Sequence, residues 1–137
     1  MKLEKFINSN DVTYTTRLVD ERVIKEAENM IGIKFGKQLR EYILKYGYLS
    51  YKFAELYGIN SNQNLDSDMV TQTVYVHKYF PETESLIAIE NQGEGDYFLV
   101  DKDDNVFEYD SDLKELMDLK KKLFDYILDR FEEIKEI

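Results

Sequence analysis

Cysteine is absent from this chain of 137 residues, and proline occurs once, at Pro81. Without cysteine the chain has no disulfide, no thiolate metal ligand and no thiol nucleophile, which fits a cytoplasmic protein. The single proline and only six glycines leave no flexible or proline-rich linker along the sequence. We therefore expect one domain that spans residues 1–137.

Long apolar runs are also missing. No stretch approaches the ~20 apolar residues that a membrane-spanning helix needs. Residues 1–12 contain no apolar segment of the kind found in signal peptides. The sequence thus predicts a cytoplasmic protein without a membrane partner.

Basic residues are the minority among the charged ones. Eighteen lysines and arginines stand against 28 aspartates and glutamates, which gives a net charge of −10. Binding of DNA or RNA depends on basic side chains that neutralise phosphates, so the composition argues against a nucleic-acid partner. A field of this sign attracts a basic protein partner, although an acidic surface also serves solubility alone.

Aromatic residues are abundant, with 11 tyrosines and 8 phenylalanines, and 43% of all residues are hydrophobic. A chain of this composition can bury a substantial core, despite its 34% charged residues. Apolar residues recur at helical spacing in four segments, for which we predict helices. These segments are Met1–Asn8, Val23–Ile31 after a cap at Asp20, Lys37–Tyr46, and a long C-terminal stripe from Leu116 to Ile134. The start of the last helix stays open, because Asp112–Met117 also fits a separate turn or a short strand.

Other segments are predicted to form strands. Alternation of apolar and polar residues from Tyr48 to Ile59 predicts a strand that is broken near Ala54. Three further short strands are predicted, at Leu86–Ile89, Tyr97–Val100 and Val106–Tyr109. Helices that precede and follow a group of strands indicate an α+β fold rather than repeated βαβ units.

The segment Met69–Phe80 is ambiguous. Its β-branched residues favour a strand by propensity, whereas its apolar residues share one helical face. Capping residues at Asp66–Asp68 precede it, and Pro81 blocks its continuation. We predict a helix.

The acid-rich stretch Asp101–Asn105 raises the question of a metal site. Asp101, Asp103 and Asn105 match the first three ligand positions of an EF-hand loop, but Val106 stands where that loop requires glycine. Aspartate and asparagine also stabilise tight turns between strands. We therefore predict a turn, with no metal and no other cofactor.

Catalytic patterns are equally weak. Acidic residues are too numerous for any two to be assigned as an acid–base pair, and no phosphate-binding glycine loop occurs. The one histidine, His77, lies on the apolar face of the predicted helix, where a packing role is the ordinary reading. We predict no catalytic residues and a protein that is not an enzyme.

Two segments resemble the signatures of a known family. Glu28–Gly36, followed by the predicted helix up to Gly47, is similar to the first signature of the SUKH superfamily, although Gly36 stands where the family usually has proline. Leu86–Asp101 resembles the second signature, in which a strand leads through a Gly-x-Gly-Asp loop into another strand. Val106–Asp110 and Leu123–Leu128 are similar to the strand and the helix that follow.

The resemblance implies a mostly antiparallel sheet wrapped by helices, in the Smi/Knr-like fold. It also implies a non-enzymatic role, because the superfamily contains cell-wall regulators and bacterial immunity proteins. We expect a protein that neutralises a bacterial toxin, with a basic nuclease-type domain as the protein partner. Two alternatives stay open: a regulatory scaffold that binds cellular proteins, and a domain that binds a small molecule or a metal.

The candidate partner-binding residues are of two kinds. The first kind is exposed acids around the predicted hairpin, which act on encounter with a basic partner: Glu94, Asp96, Asp103, Asp104, Glu108 and Asp110. The second kind is tyrosines, which are enriched at binding hot spots but also pack in cores: Tyr48, Tyr51 and Tyr57.

Overall fold

A computed structural model describes residues 1–15, 19–59 and 65–137. The α-helices in these ranges are α1 (Lys2–Ser9), α2 (Glu21–Ile31), α3 (Lys37–Lys45), α4 (Met69–Tyr79) and α5 (Leu123–Lys135). The strands are β1 (Thr13–Tyr14), β2 (Leu49–Tyr51), β3 (Ala54–Leu56), β4 (Ile87–Asn91), β5 (Asp96–Val100), β6 (Asn105–Asp110) and β7 (Glu115–Lys122). Single turns of 3₁₀ helix occur at Leu65–Ser67 and Pro81–Thr83.

The strands form two antiparallel sheets, in the orders β1-β2-β3 and β4-β5-β6-β7. The backbone N–H of Tyr57 donates to the carbonyl of Ile89 at 2.9 Å, which links the end of β3 to β4. The predicted α+β class and the antiparallel arrangement are confirmed. The break predicted near Ala54 separates β2 from β3, which form a short hairpin.

The ambiguous segment is the helix α4. The side chain of Asp68 accepts the N–H of Thr71 at 2.9 Å and caps the first turn. Inside the helix, the Thr73 hydroxyl accepts the N–H of Ala88 from β4 at 3.0 Å. The β-branched residues Thr73 and Val76 are buried on this helix, and tertiary contacts override their strand propensity.

The C-terminal helix starts later than its apolar stripe from Leu116, and the region left open at Asp112–Met117 contains a turn and the start of a strand. Residues Glu115–Lys122 form the edge strand β7, and the helix α5 begins only at Leu123. Leu116 lies opposite Tyr109 in the ladder with β6. The spacing of three and four between Leu116, Leu119 and Leu123 looks helical, but pairing with β6 decides the conformation.

The four-stranded sheet is covered on both faces. On one face, Tyr126 of α5 stacks on Phe98, with 5.4 Å between ring centroids. On the other face, Phe80 packs on Tyr97 and Tyr109, at 5.9 and 5.4 Å. Successive residues of a strand point to opposite faces, so Phe98 contacts the layer that contains α5 and Tyr97 contacts the layer that contains Phe80.

In the described ranges, no helix is both long enough and apolar enough to cross a lipid bilayer.

Candidate protein-binding site

The six predicted acids do not form one surface. The β5–β6 ladder pairs Asp96 with Asp110 at one end and Val100 with Val106 at the other. Four of the acids lie toward the first end, near the Gly93–Gly95 turn: Glu94, Asp96, Glu108 and Asp110. The remaining two, Asp103 and Asp104, lie in the turn that joins β5 to β6 at the opposite end.

Asp104 has a structural position that the sequence did not reveal. Its side chain is 5% exposed, so the prediction of an exposed acid is wrong. The two carboxylate oxygens accept the backbone N–H groups of Gln38 and Leu39 at 2.8 and 3.0 Å. Helix α3 begins after Gly36, which has no capping side chain, and Asp104 supplies the missing acceptors from another part of the chain.

Asp96 and Glu108 form a carboxyl pair on neighbouring strands. The Asp96 Oδ1 atom is buried and has no hydrogen-bond partner among the described residues. The contact with the Asp96 carboxylate, together with burial and the charge of Asp110, raises the pKa of Glu108 to about 7. Glu108 therefore binds a proton more tightly in the folded chain than in the unfolded one.

This carboxyl pair predicts a pH-dependent stability. Because the pKa of Glu108 rises from 4.5 to about 7 on folding, its contribution is fully present below about pH 4.5 and is lost as the pH rises through 7. Glu108→Gln carries a neutral group at every pH. The difference in free energy of unfolding between this variant and the native chain should therefore shift in favour of the variant from pH 5 to pH 8, by on the order of 1 kcal/mol after solvent screening.

Urea unfolding at the two pH values measures this difference. Glu94→Gln, which removes an exposed acid from the adjacent turn, is the matched control and should show little pH-dependent gain. An equal effect of Glu108→Gln at both pH values would contradict the raised pKa of Glu108.

The predicted tyrosines differ in exposure. Tyr51 and Tyr57 are 5% and 4% exposed. Tyr51 is a core residue, packed on Phe6 and Phe131 at 5.3 and 5.4 Å between ring centroids. Tyr48 is half-buried, and its hydroxyl donates to Glu55 at 2.6 Å. Tyr48 therefore lies beside Glu55, and Glu55 and Tyr57 both line the cleft described next.

A cleft of about 540 Å³ opens where the two sheets meet. Its walls come from the β2–β3 hairpin, the start of α4, the turn after β4 and the helix α5. The residues that line it are mostly polar: Phe53, Glu55, Tyr57, Asp66, Gln72, Glu90, Asn91, Gln92, Gly93 and Arg130.

A buried polar network forms the floor of the cleft. Glu90 is 1% exposed, and its carboxylate accepts the Tyr126 hydroxyl at 2.5 Å and the Arg130 Nε at 3.0 Å. Gln92 Nε2 donates to the Tyr126 oxygen at 3.1 Å. Burial, together with the charge of Glu90, raises the pKa of Tyr126, so the hydroxyl keeps its proton and remains a donor.

An exposed ring and further carboxylates form the mouth of the cleft. Phe53, in the β2–β3 turn, is 64% exposed, and the Arg130 guanidinium lies 5.7 Å from its ring centroid. The Glu55 carboxylate is held by the hydroxyls of Tyr48 and Ser67 at 2.6 and 2.9 Å. With Asp66, the lining contains three carboxylates and one guanidinium.

Most residues of this cleft were not predicted from the sequence. Two signals were present: Glu90 is a charged residue that directly follows the apolar run Leu86–Ile89, and Tyr126 and Arg130 are four residues apart on one helical face. Their meeting depends on how α5 packs on β4, which a local pattern does not contain. No sequence pattern indicated that Phe53, Glu55 or Asp66 belongs to a site.

The acid-rich stretch after β5 is a turn. Asp101 Oδ1 accepts the N–H groups of Asp103 and Asn105, both at 2.9 Å. Among the described residues, no group of three or more histidine, aspartate or glutamate side chains is arranged to hold a metal ion. His77 lies on α4 with its Nε2 2.7 Å from the Leu86 carbonyl oxygen.

Comparison with known families decides the relationship. The SUKH_5 family model, described as SMI1-KNR4 cell-wall, matches residues 2–132. The chain belongs to the SUKH superfamily. No curated protein matches it. SUKH proteins are known as non-catalytic immunity and regulatory proteins, and membership fits a toxin-immunity role in general.

Residues of the two SUKH signatures hold loops in place. The Glu28 carboxylate accepts the Phe35 N–H at 2.8 Å and so fixes the connection between α2 and α3. In the second signature, Gly95 has φ +79°, and a Cβ on it would overlap the Ser111 side chain. These SUKH residues shape the loops of the fold.

Proposed function

We propose that this chain is an immunity-type protein that neutralises a bacterial toxin by direct, stoichiometric binding, and that the toxin is a basic, nuclease-type domain. The observation that carries the proposal is a net charge of −10 on a domain of the SUKH superfamily. A nuclease domain uses lysine and arginine side chains to hold phosphates. An acidic protein competes for the same basic surface and keeps the substrate away.

The surface geometry supports a basic partner. Exposed or half-exposed acids lie at both ends of the β5–β6 hairpin, and the cleft between the sheets is rich in carboxylates. Charges distributed in this way attract a basic protein from several directions. The cleft then offers one place where contacts are removed from water.

Co-expression tests the proposal. The chain is produced together with the polypeptide encoded beside it, and growth is compared with that of cells that produce the polypeptide alone. We expect the polypeptide to arrest growth, the chain to restore it, and the two to purify together at 1:1. A toxic neighbour that arrests growth despite the chain, and does not purify with it, would contradict the proposal.

Electrostatic attraction predicts a salt-dependent association rate. The triple substitution of the exposed acids Glu94→Gln, Asp103→Asn and Asp112→Asn should slow association several-fold and leave dissociation nearly unchanged, because distant charges act on encounter. Stopped-flow binding to the toxin is measured at ionic strengths of about 0.01 and 0.15 M, where the Debye lengths are about 30 and 8 Å.

The native chain should lose more association rate on salt addition than the triple variant. Asp104 is not included, because its removal would destabilise α3. The melting temperature of the triple variant serves as the control and should stay close to the native value. An association rate that responds neither to salt nor to the substitutions would exclude electrostatic attraction and leave the binding itself unaffected.

A further inference from the structure

We propose that a bulge at Leu119–Lys121 prevents a second copy of this chain from pairing with β7, the free edge strand of the four-stranded sheet. The bulge consists of residues of β7 that have no one-to-one partners on β6. It acts through the backbone, and the lysines of the same segment add to its effect. This role concerns self-association and does not depend on the identity of the toxin.

The two edges of the four-stranded sheet differ in what lies beside them. The outer side of β4 is approached by the residue that follows β3, because the Tyr57 N–H donates to the Ile89 carbonyl at 2.9 Å. Among the described residues, no strand lies beside the outer side of β7. An uncovered edge presents backbone N–H and C=O groups that can pair with another chain. The sheet could therefore extend into a second molecule at β7.

The hydrogen-bond pattern shows which backbone groups of β7 face outward. In an antiparallel ladder, successive residues direct their N–H and C=O groups to opposite sides of the strand. The Asp101 N–H donates to the Asn105 carbonyl at 3.1 Å, so Asn105 and every second residue after it on β6 face β5. The residues between them face β7, among them Glu108, which lies opposite Met117. The backbone groups of Leu116, next to Met117, therefore point away from the sheet.

Length and exposed apolar side chains would make a regular β7 prone to such pairing. The strand spans eight residues, Glu115–Lys122, whereas strands usually have about five or six. Leu116 and Met117 are 42% and 58% exposed. A long, flat edge with apolar side chains is a template for a further strand, so this edge needs a feature that interrupts it.

The register of the β6–β7 ladder breaks in the second half of β7. One residue of β6, Val106, faces three residues of β7, Leu119–Lys121. The ladder pairs on either side of the break are Phe107–Asp118 and Asn105–Lys122. Lys120 has φ +60°, in the left-handed region that residues with a Cβ rarely adopt. A bulge of this kind bends the strand and interrupts the row of outward backbone groups, which leaves only Glu115–Asp118 in regular register.

Two contacts hold the bulge in place. The Lys120 N–H donates to Asp118 Oδ1 at 2.8 Å, and the Lys121 ammonium lies 2.8 Å from the Asp129 carboxylate on α5. The Lys120 side chain itself is 83% exposed. A strand that paired here would have to remove water from this ammonium group, which makes lysine a common residue on protected edges.

Deletion of Lys120 and Lys121 tests the role of the bulge, because it places Leu119 opposite Val106 and restores one-to-one pairing. The matched control is Lys120→Gly/Lys121→Gln. It loses the same two positive charges but keeps the bulge, since glycine readily adopts the left-handed backbone at position 120. Analytical ultracentrifugation from micromolar to millimolar concentration measures the mass of each variant. We expect the native chain and the control to be monomers, and the deletion variant to form dimers or larger assemblies.

A proline substitution then locates the contact in the deletion variant. Leu116→Pro removes a backbone N–H that points outward and leaves the hydrogen bonds to β6 in place. It should return the deletion variant to a monomer. Association that persists with Leu116→Pro would show that the copies meet elsewhere and would overturn the assignment to β7.

A single cysteine reports edge pairing in the native chain, which has no cysteine of its own. Met117→Cys on β7 is compared with Met30→Cys on α2, where the methionine is 69% exposed. Under mild oxidation at millimolar concentration, both native-length variants should form disulfide-linked dimers at similar, slow rates. In the deletion background, Met117→Cys should crosslink at least about tenfold faster, because paired strands raise the effective concentration of the two thiols.

Three results would overturn the proposal. They are faster crosslinking at position 117 than at position 30 in the native-length chain, a folded deletion variant that stays monomeric, and a control variant that associates as the deletion variant does. If circular dichroism shows that the deletion variant does not fold, the native-length comparison decides. Equal rates at positions 117 and 30 then support a closed edge, and a faster rate at position 117 contradicts it.

Discussion

Glu90→Ala is expected to lower the free energy of unfolding by about 3–5 kcal/mol, because it leaves a mostly buried arginine without its counter-charge. Arg130 donates to Glu90 from a side chain that is 16% exposed, and Glu90 itself is 1% exposed. The Tyr126 hydroxyl loses its acceptor in the same substitution. Urea unfolding monitored by circular dichroism measures the loss.

Two further variants separate the charge from the packing. Glu90→Gln keeps an acceptor for Tyr126 and should cost less than alanine does. Glu90→Leu/Arg130→Met replaces both charges with apolar groups of similar size and should recover much of the stability lost in Glu90→Ala. A loss below about 1 kcal/mol for Glu90→Ala would show that water or another group replaces the carboxylate.

Gly36→Ala and Asp104→Ala are each expected to destabilise the chain by about 1–3 kcal/mol, yet the double variant should cost much less than their sum. A Cβ on Gly36 would overlap the Asp104 carboxylate and push it away from the N–H groups of Gln38 and Leu39. Once Asp104 is alanine, the carboxylate is gone and the Cβ has room.

A double-mutant cycle by urea unfolding gives the coupling between the two positions. The matched control is Asp20→Ala, which removes the ordinary cap of α2, where Asp20 accepts the Val23 N–H at 3.1 Å. The effects of Asp20→Ala and Gly36→Ala should add. Additivity between Gly36→Ala and Asp104→Ala would show that the carboxylate does not determine the residue at position 36.

The elements that could be predicted from the sequence are those with a local cause. Helix α3 and the strands β4, β5 and β6 follow from short-range periodicity and from turn residues between them. The helix α4 was predicted from its shared apolar face, the capping residues Asp66–Asp68 and the stop at Pro81, and Asp68 is the residue that caps it. The family resemblance then placed these elements in one known fold.

The features that could not be predicted depend on distant partners. The sequence predicts Asp104 to be an exposed turn residue, because Gln38, whose N–H it accepts, lies 66 residues earlier in the chain. Its role also explains Gly36, since the proline usual in the family has a Cβ and would meet the same carboxylate. The sequence of β7 has the apolar spacing of a helix, and pairing with β6 makes it a strand.

The residues of the cleft could not be predicted for the same reason. Glu90 and Arg130 are 40 residues apart, and they meet only after α5 has packed on the sheet. Phe53 and Asp66 lie in short turns whose sequences resemble those of any surface loop. The acids of the hairpin were predicted instead, because they are close together in the sequence. The acids of the cleft are close together only in the folded chain.

The central claim is that this chain neutralises a toxin by occupying it, and an inhibition titration tests that claim most directly. The catalytic activity of a toxin identified by the co-expression test is measured on its substrate while purified chain is added at concentrations far above the dissociation constant. We predict that activity falls linearly and reaches its minimum at one equivalent of chain, as for a stoichiometric inhibitor. A toxin that remains fully active in the presence of excess folded chain would contradict the account.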